Sequence, residues 1–364
     1  MTRGVLESPL HEVPDDPEEF LAFAEARGWG DGLPLVPPTA ERVQAMLEYV
    51  PGTPDTVVGI VEPRRGVATL EKIAVNAVMA GCLPEYFPVV VAAVEAACDP
   101  RFNLYALATT TCSATPAVLV NGPVRREIGV ECGYSCLGTA GRANATIGRA
   151  LRLVLRNVGG AVPGAVSKST FGQPGRISLC FGEWEEKSPW APFHVRRGFR
   201  PEDSVVTLHC ATGTQDIADV FAESGEELLL VLAHSIDWVG NNKVLVPQRE
   251  GEILLLLCPD FAHKIARDGF GVEEAQRFLH EHTKTPVDRW PRGYWKKFEE
   301  RGYVEDGRVP LCASPEQFLL AVAGGEGGHH AINFCTFGLT WSVSRKVVSG
   351  AEACELPRRE GSAA

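Results

Sequence analysis

Cys112 stands in the polar run TTTCSATP, and Cys132 and Cys136 stand in ECGYSC. Together they read C-x19-C-x3-C, which offers three thiolates, Cys112, Cys132 and Cys136, to one zinc ion or iron–sulfur cluster. Structural zinc sites normally take four ligands on tighter knuckles, and common clusters use a fourth cysteine. The same residues can instead give a nucleophilic Cys112 with Cys132 or Cys136 as resolving thiol. The third alternative is three unlinked thiols that pack as small hydrophobes.

A second stretch, Ala323 to Cys335, reads AGGEGGHHAINFC. It follows the apolar run FLLAVA, so the glycines lie at the end of a buried strand. Ligands of open α/β sheets sit beyond strand ends. Gly325, Gly327 and Gly328 would let a ligand approach the backbone closely. The spacing matches neither a Walker A loop nor a dinucleotide fingerprint. His329 or His330 can move protons near neutral pH, and Cys335 adds a further thiol.

The third candidate is GRANATIGRALRLVLRN. Arg142, Asn144 and Thr146 crowd a helix start, where free N–H groups and the helix dipole favour an anion. Asn144 or Thr146 is the expected cap. Arg149 and Arg152 lie further along, with the look of solvated groups. On another helix, Lys72 and Asn76 share a face at i,i+4 and can point into a cleft. HSIDWVGNN supplies a polar loop with His234, Asp237, Asn241 and Asn242.

These residues need elements to hold them. The spacing predicts helices over Pro17–Arg27 and Ala40–Tyr49, the latter capped by Thr39. It predicts helices over Leu70–Ala80, capped by Thr69 and stopped by Gly81, and over Asn144–Val158. Strands are expected at Val57–Val61, Leu104–Thr111, Ala117–Asn121, Ser204–Cys210, Glu252–Leu257 and Phe318–Ala323. Strands alternating with helices give an α/β (or α+β) class, with mixed, mostly parallel sheets in two lobes and an active cleft between them. The expected divisions are an N-terminal helix and Pro/Gly-rich arm at 1–40, a first lobe at 41–185 and a second at 186–364.

The chain has 364 residues and a formal net charge of -11. An acidic chain argues against nucleic acid as partner. No run of about 18 apolar residues suggests a membrane span, and MTRGVLESPLHEVPDDPEEF has no apolar signal core. A cytoplasmic location is the resulting expectation. Eleven cysteines, an odd number, are then expected to be reduced thiols. Trp290 and Trp295 suit either packing or a contact between copies in a homo-oligomer.

Several long stretches are similar to a bacterial protein family. They are WGDGLPLVPPT, EKIAVNAVMAGCLPEYFPVVVAAVEA and RANATIGRALRLVLRNVGGA, followed by FGQPG and EEKSPWAPFHVRRGF. The chain resembles this family over roughly residues 28 to 345. The family has no settled activity and is associated with proteins that carry a UGSC motif, a thiol/selenol redox signature. The resemblance implies thiol or selenol chemistry and a UGSC-type redox protein as partner. Its family-like residues here are Lys72, Asn76, Arg142, Asn144, Thr146 and Arg149. This chain departs from the motif itself: ECGYSC is the nearest stretch, and its spacing differs.

The functional expectation is a thiol-dependent redox or lyase enzyme for a small anionic organic substrate. Cys112 would react, with His329 or His330 as acid or base. One alternative is a zinc or iron–sulfur lyase or hydratase on Cys112, Cys132 and Cys136. The other is a non-catalytic subunit of a redox protein.

Overall fold

The computed structural model describes residues 5–138, 140–245 and 250–350. Cys354 lies outside them. α1 (Pro17–Ala26) and α2 (Ala40–Leu47) precede a small antiparallel pair, β1 (Val57–Val61) and β2 (Gly66–Thr69). Helices α3 (Leu70–Ala80), α4 (Phe87–Ala97) and α5 (Leu104–Thr109) follow, then β3 (Thr115–Asn121), α6 (Pro123–Glu127) and α7 (Arg142–Asn157). Next come β4 (Cys180–Gly182), α8 (Phe193–Arg196), the long β5 (Val205–Ala218), α9 (Gly225–Ile236) and β6 (Ile253–Leu257). The last elements are α10 (Pro259–Arg267), α11 (Val272–His282), β7 (Lys284–Pro286), α12 (Arg292–Glu300), β8 (Arg308–Pro310), β9 (Phe318–Val322), β10 (His330–Thr336) and β11 (Val343–Lys346).

Local chemistry sets most boundaries. Thr69 caps α3 by accepting from the Lys72 amide, and Gly81 ends it in the left-handed region at φ 88°. Ser224 and Glu227 form a reciprocal capping box at the start of α9. Two boundaries differ from expectation. Leu104–Thr109 is helix rather than strand, because the Asn103 side chain caps it by accepting from the Ala106 amide. α7 begins at Arg142, so Asn144 lies inside its first turn rather than capping it.

The fold is mixed α/β, as the alternation of elements predicts. Seven strands form one sheet in the order β4-β3-β5-β10-β6-β9, with β11 also on β5. The expectation of mostly parallel pairing is corrected. Only β3–β4 and β6–β9 are parallel, while β5 takes β3, β10 and β11 antiparallel and β10 takes β6 antiparallel. The long β5 causes this: its first half pairs with β3 and β11, and its second half with β10. The sheet therefore runs across residue 185 without a break.

The sheet curls until its two edges meet. The Trp184 amide, just beyond β4, donates to Val322 O of β9 at 2.7 Å, and an Arg196 side-chain N–H donates to Leu320 O at 2.5 Å. Phe181 and Phe334 stack inside the curl at 5.6 Å, among Leu119, Leu254, Leu256 and Ala321. On the outer face, α3, α4 and α7 pack over Val118, Val120, Val206 and Leu208. α9, α10 and α11 pack over Leu255, Leu257, Leu320 and Val322. Each such side chain contributes about 1.5–3 kcal/mol by leaving water. The ends of the central strands, where these layers stop, carry the polar groups.

Candidate functional site

Cys112 lies in the turn between α5 and β3, half-buried. The Thr110 hydroxyl accepts from its backbone N–H at 3.0 Å and so shapes the turn. The Asn242 side chain, from the polar loop after α9, donates to the Cys112 sulfur at 3.4 Å. Burial pushes the thiol's pKa up, while the N–H groups of Ser113, Asn242 and Ala114 pull the other way by favouring the thiolate. The Asn242 amide is the one side-chain group that donates to this sulfur, and it favours the thiolate without undoing the effect of burial.

Cys335, near the end of β10, is the neighbouring thiol. It is half-buried, and its pKa is raised by burial and by the charge of Cys112. Cys112 also acts on Cys210, a buried residue of β5 whose pKa is pushed up to about 12, chiefly by burial. A bulge lies between Cys335 and Thr336, against Gly213 and Ala211 of β5. Thr212 fills it, donating its hydroxyl proton to Cys335 O at 2.8 Å. Thus Cys112 and Cys335, distant in sequence, lie within electrostatic reach of each other.

Cys132 and Cys136 are elsewhere. Both are buried, and burial raises both pKa values to about 11, with the Cys132 charge also acting on Cys136. Arg125 donates to the Cys132 sulfur at 3.1 Å while gripping Glu186 with its other nitrogen at 2.5 and 2.6 Å. Among the described residues, no three His, Cys, Asp or Glu groups converge as a metal site would need. The shared three-thiolate site on Cys112, Cys132 and Cys136 is therefore not formed among them.

The glycine-rich loop belongs with the Cys132 region. Gly325 lacks a Cβ because the Tyr134 ring occupies that place, at 2.1 Å from where it would lie. The Tyr134 hydroxyl donates to Glu326 O at 3.0 Å, and Lys187 pairs with the Glu326 carboxylate at 2.6 Å. Gly327 takes a positive φ of 69°, and the Gly328 amide donates to Asp260 at 3.3 Å. A loop whose amide already serves a carboxylate is not an anion cradle. His329 and His330 are exposed, and His330 Nδ1 lies 3.1 Å from the Asp216 carboxylate on β5. Five strand residues separate His330 from Cys335, about 17 Å at the usual rise. The histidines and the Cys112–Cys335 pair do not meet.

The expected anion group on α7 is divided as well. The Asn144 side chain is fully used, accepting from the Glu131 amide and donating to Glu131 O and Cys136 O. It holds the Cys132–Cys136 loop. Thr146 donates back to Arg142 O, and Arg142 donates to Gly81 O. Arg149 grips both oxygens of Asp31 at 2.7 and 2.8 Å and donates to Leu33 O and Pro34 O. It clamps the WGDGLPLVPP arm.

Lys72 and Asn76 lie at the opposite end of α7, since α3 and α7 run antiparallel. Asn157 donates to the Asn76 carbonyl oxygen at 2.7 Å, and Lys72 donates to Val67 O. Thr146 and Asn157 are about 16 Å apart along the helix axis. Lys72 and Asn76 line a separate, largely apolar cavity of about 510 Å3, roofed by residues 6–13 of the arm. The arm is fixed there by the Glu7 and Ser8 amides, which donate to the Glu71 carboxylate.

Trp290 is buried in a packing group with Tyr294 and Phe298, and Trp295 donates to Trp290 O. No helix among the described residues is long and apolar enough to cross a membrane. The chain matches no protein-family model, no curated protein and no solved structure.

Two features of the site escaped sequence reasoning. Asn242 was visible only as one polar residue of a loop, and its aim at Cys112 depends on how α9 returns to the sheet. Arg176, in the loop before β4, carries no spacing signal, and that Arg156 lacks a partner cannot be read from its place on α7.

Proposed function

We propose that this protein is a thiol-dependent enzyme for a small anionic organic substrate, with Cys112 as the reacting thiol and Cys335 as its partner. One observation carries the reading: the Cys112 sulfur is half-buried and accepts from the Asn242 side chain, and its charge acts on a second half-buried thiol, Cys335. The second thiol favours redox chemistry over a lyase reaction, which would need Cys112 alone.

The step that suits the pair is thiol–disulfide exchange. The Cys112 thiolate attacks one sulfur of a substrate disulfide, forms a mixed disulfide and releases the first thiolate, which takes up a proton. The Cys335 thiolate then attacks the Cys112 sulfur, closes a Cys112–Cys335 disulfide and releases the second thiol. Two electrons and two protons pass from the protein thiols to the substrate. A low-molecular-weight thiol, or a redox protein of the UGSC type, resets the pair. A reducing compartment such as the cytoplasm suits this cycle.

Glutathione disulfide, a small carboxylated disulfide, is the test probe. Peptide mapping after incubation is expected to find a Cys112–Cys335 crosslink, with two thiols released per protein. Cys335→Ser should stop at a mixed disulfide on Cys112, and Cys112→Ser should give neither product. Mixed disulfides spread over other cysteines, with Cys112 unmodified, would refute the assignment.

A further inference from the structure

Arg149, Arg152 and Arg156 occupy one face of α7, but only Arg149 has a carboxylate partner. One turn on, the Arg152 Nε–H donates to Arg176 O at 3.3 Å, and Arg176 donates to the Ser167 hydroxyl at 2.9 Å. Arg156 Nε is buried with no hydrogen-bond partner. No carboxylate among the described residues pairs with any of these three arginines. Burial, then the charges of Arg176 and Arg156, pull the Arg152 pKa down to about 9.

Three half-buried guanidiniums held together without a counter-ion are an unfavourable arrangement for a bare protein. Guanidinium forks match carboxylate and phosphate oxygens in pairs. In a chain with a net charge of -11, an acid-free cluster of this kind is not background. The loop that carries Ser167 and Arg176 also touches the thiol turn. Thr170 N donates to Thr111 O at 2.9 Å, and the Gln173 side chain donates to Ser113 O at 2.8 Å and Ala211 O at 2.9 Å.

We infer that Arg152, Arg156 and Arg176, with the Ser167 hydroxyl, bind the carboxylate or phosphate group of a small molecule. The site extends the reading of Cys112 as the reacting centre, because one loop joins the two. Its anion binding stands apart from the thiol chemistry.

The experiment is thermal unfolding of the full chain in chloride, with millimolar inorganic phosphate or malate added at constant ionic strength. The wild-type midpoint should rise and saturate with at least one of the two, and the stronger probe tells phosphate from carboxylate. Arg176→Gln and Arg152→Met should each weaken the apparent Kd at least tenfold. Arg152→Met should also unfold no lower than wild type in chloride, since it removes an unpartnered charge. Arg176→Gln, at a less buried position, keeps the test valid if Arg152→Met fails to fold. No saturable rise with either anion, or an equal rise in Arg176→Gln, would overturn the inference. Cys112→Ser should keep the full anion response. An anion response with unchanged glutathione exchange in that variant would sink the thiol reading alone, and the converse result would sink the anion site alone.

Discussion

Cys132 and Cys136 lie within one short loop, whereas Cys112 and Cys335 come from distant parts of the chain; in each pair the charge of the first thiol acts on the second. Their surroundings differ. The first pair is buried, its pKa values are raised to about 11 and its loop is tied by Asn144, Arg125 and Tyr134. The second pair is half-buried, and Asn242 and two backbone N–H groups favour the thiolate of Cys112. The difference teaches that thiol access follows the fold, not spacing. A C-x3-C loop can be buried masonry, while two cysteines with no sequence relation stay half-buried within electrostatic reach of each other.

The largest expected effect is a contrast in alkylation. With iodoacetamide at pH 8 and mass-spectrometric readout, Cys112 should react at least about 100-fold faster than Cys132 or Cys136, in line with exposure and thiolate control. Equal rates would erase the comparison. A smaller effect should follow loss of one donor. Asn242→Ala should slow Cys112 alkylation by about tenfold at pH 7.5, the effect of a hydrogen bond worth about 1.4 kcal/mol to the thiolate. The Cys132 rate should not change, and a matching loss there would mean a general loosening instead.

The smallest effect concerns the seam beside the first pair. Glu183, fully buried, accepts from Asn121 at 2.5 Å and from the Phe193 amide at 2.6 Å, and burial raises its pKa to about 7. A raised pKa favours the neutral acid in the fold. Its stabilising share is complete below the ordinary pKa of about 4.5 and is lost as pH rises through about 7. Glu183→Gln should therefore gain a few degrees in Tm relative to wild type on going from pH 5 to pH 8. A pH-independent difference would show that Glu183 stays ionised throughout. The second pair should be indifferent to this change.

Much of the scaffold was legible. Periodicity found α3 and α7, the Thr69 cap fixed the start of α3, and unbroken apolar runs found β6 and β9. LYALAT misled because six residues are too few to separate a helical period from a strand run. β10 is hard to read in HHAINFCT because its histidines and cysteine mask the strand alternation. Its alternation is plain in the structure: Ile332 and Phe334 face the inner core, while Ala331, Asn333 and Cys335 face outward. The site was legible at Cys112, where a thiol breaks a run of hydroxyls. Its link to Cys335 was not, because it depends on a strand order that brings β3 and β10 to either side of β5. The bare arginines were invisible for another reason: sequence shows which charges exist, not which lack a partner.

The seam between Trp184 and Val322 has a consequence for synthesis. β4 leaves the ribosome with one side unpaired and stays so until Val322 arrives, about 140 residues later. At about 5–20 residues per second that wait is roughly 7–28 s. During it, β3, β4 and their helices form a half-built cylinder with an open flank, the state in which a nascent chain most needs shielding by chaperones.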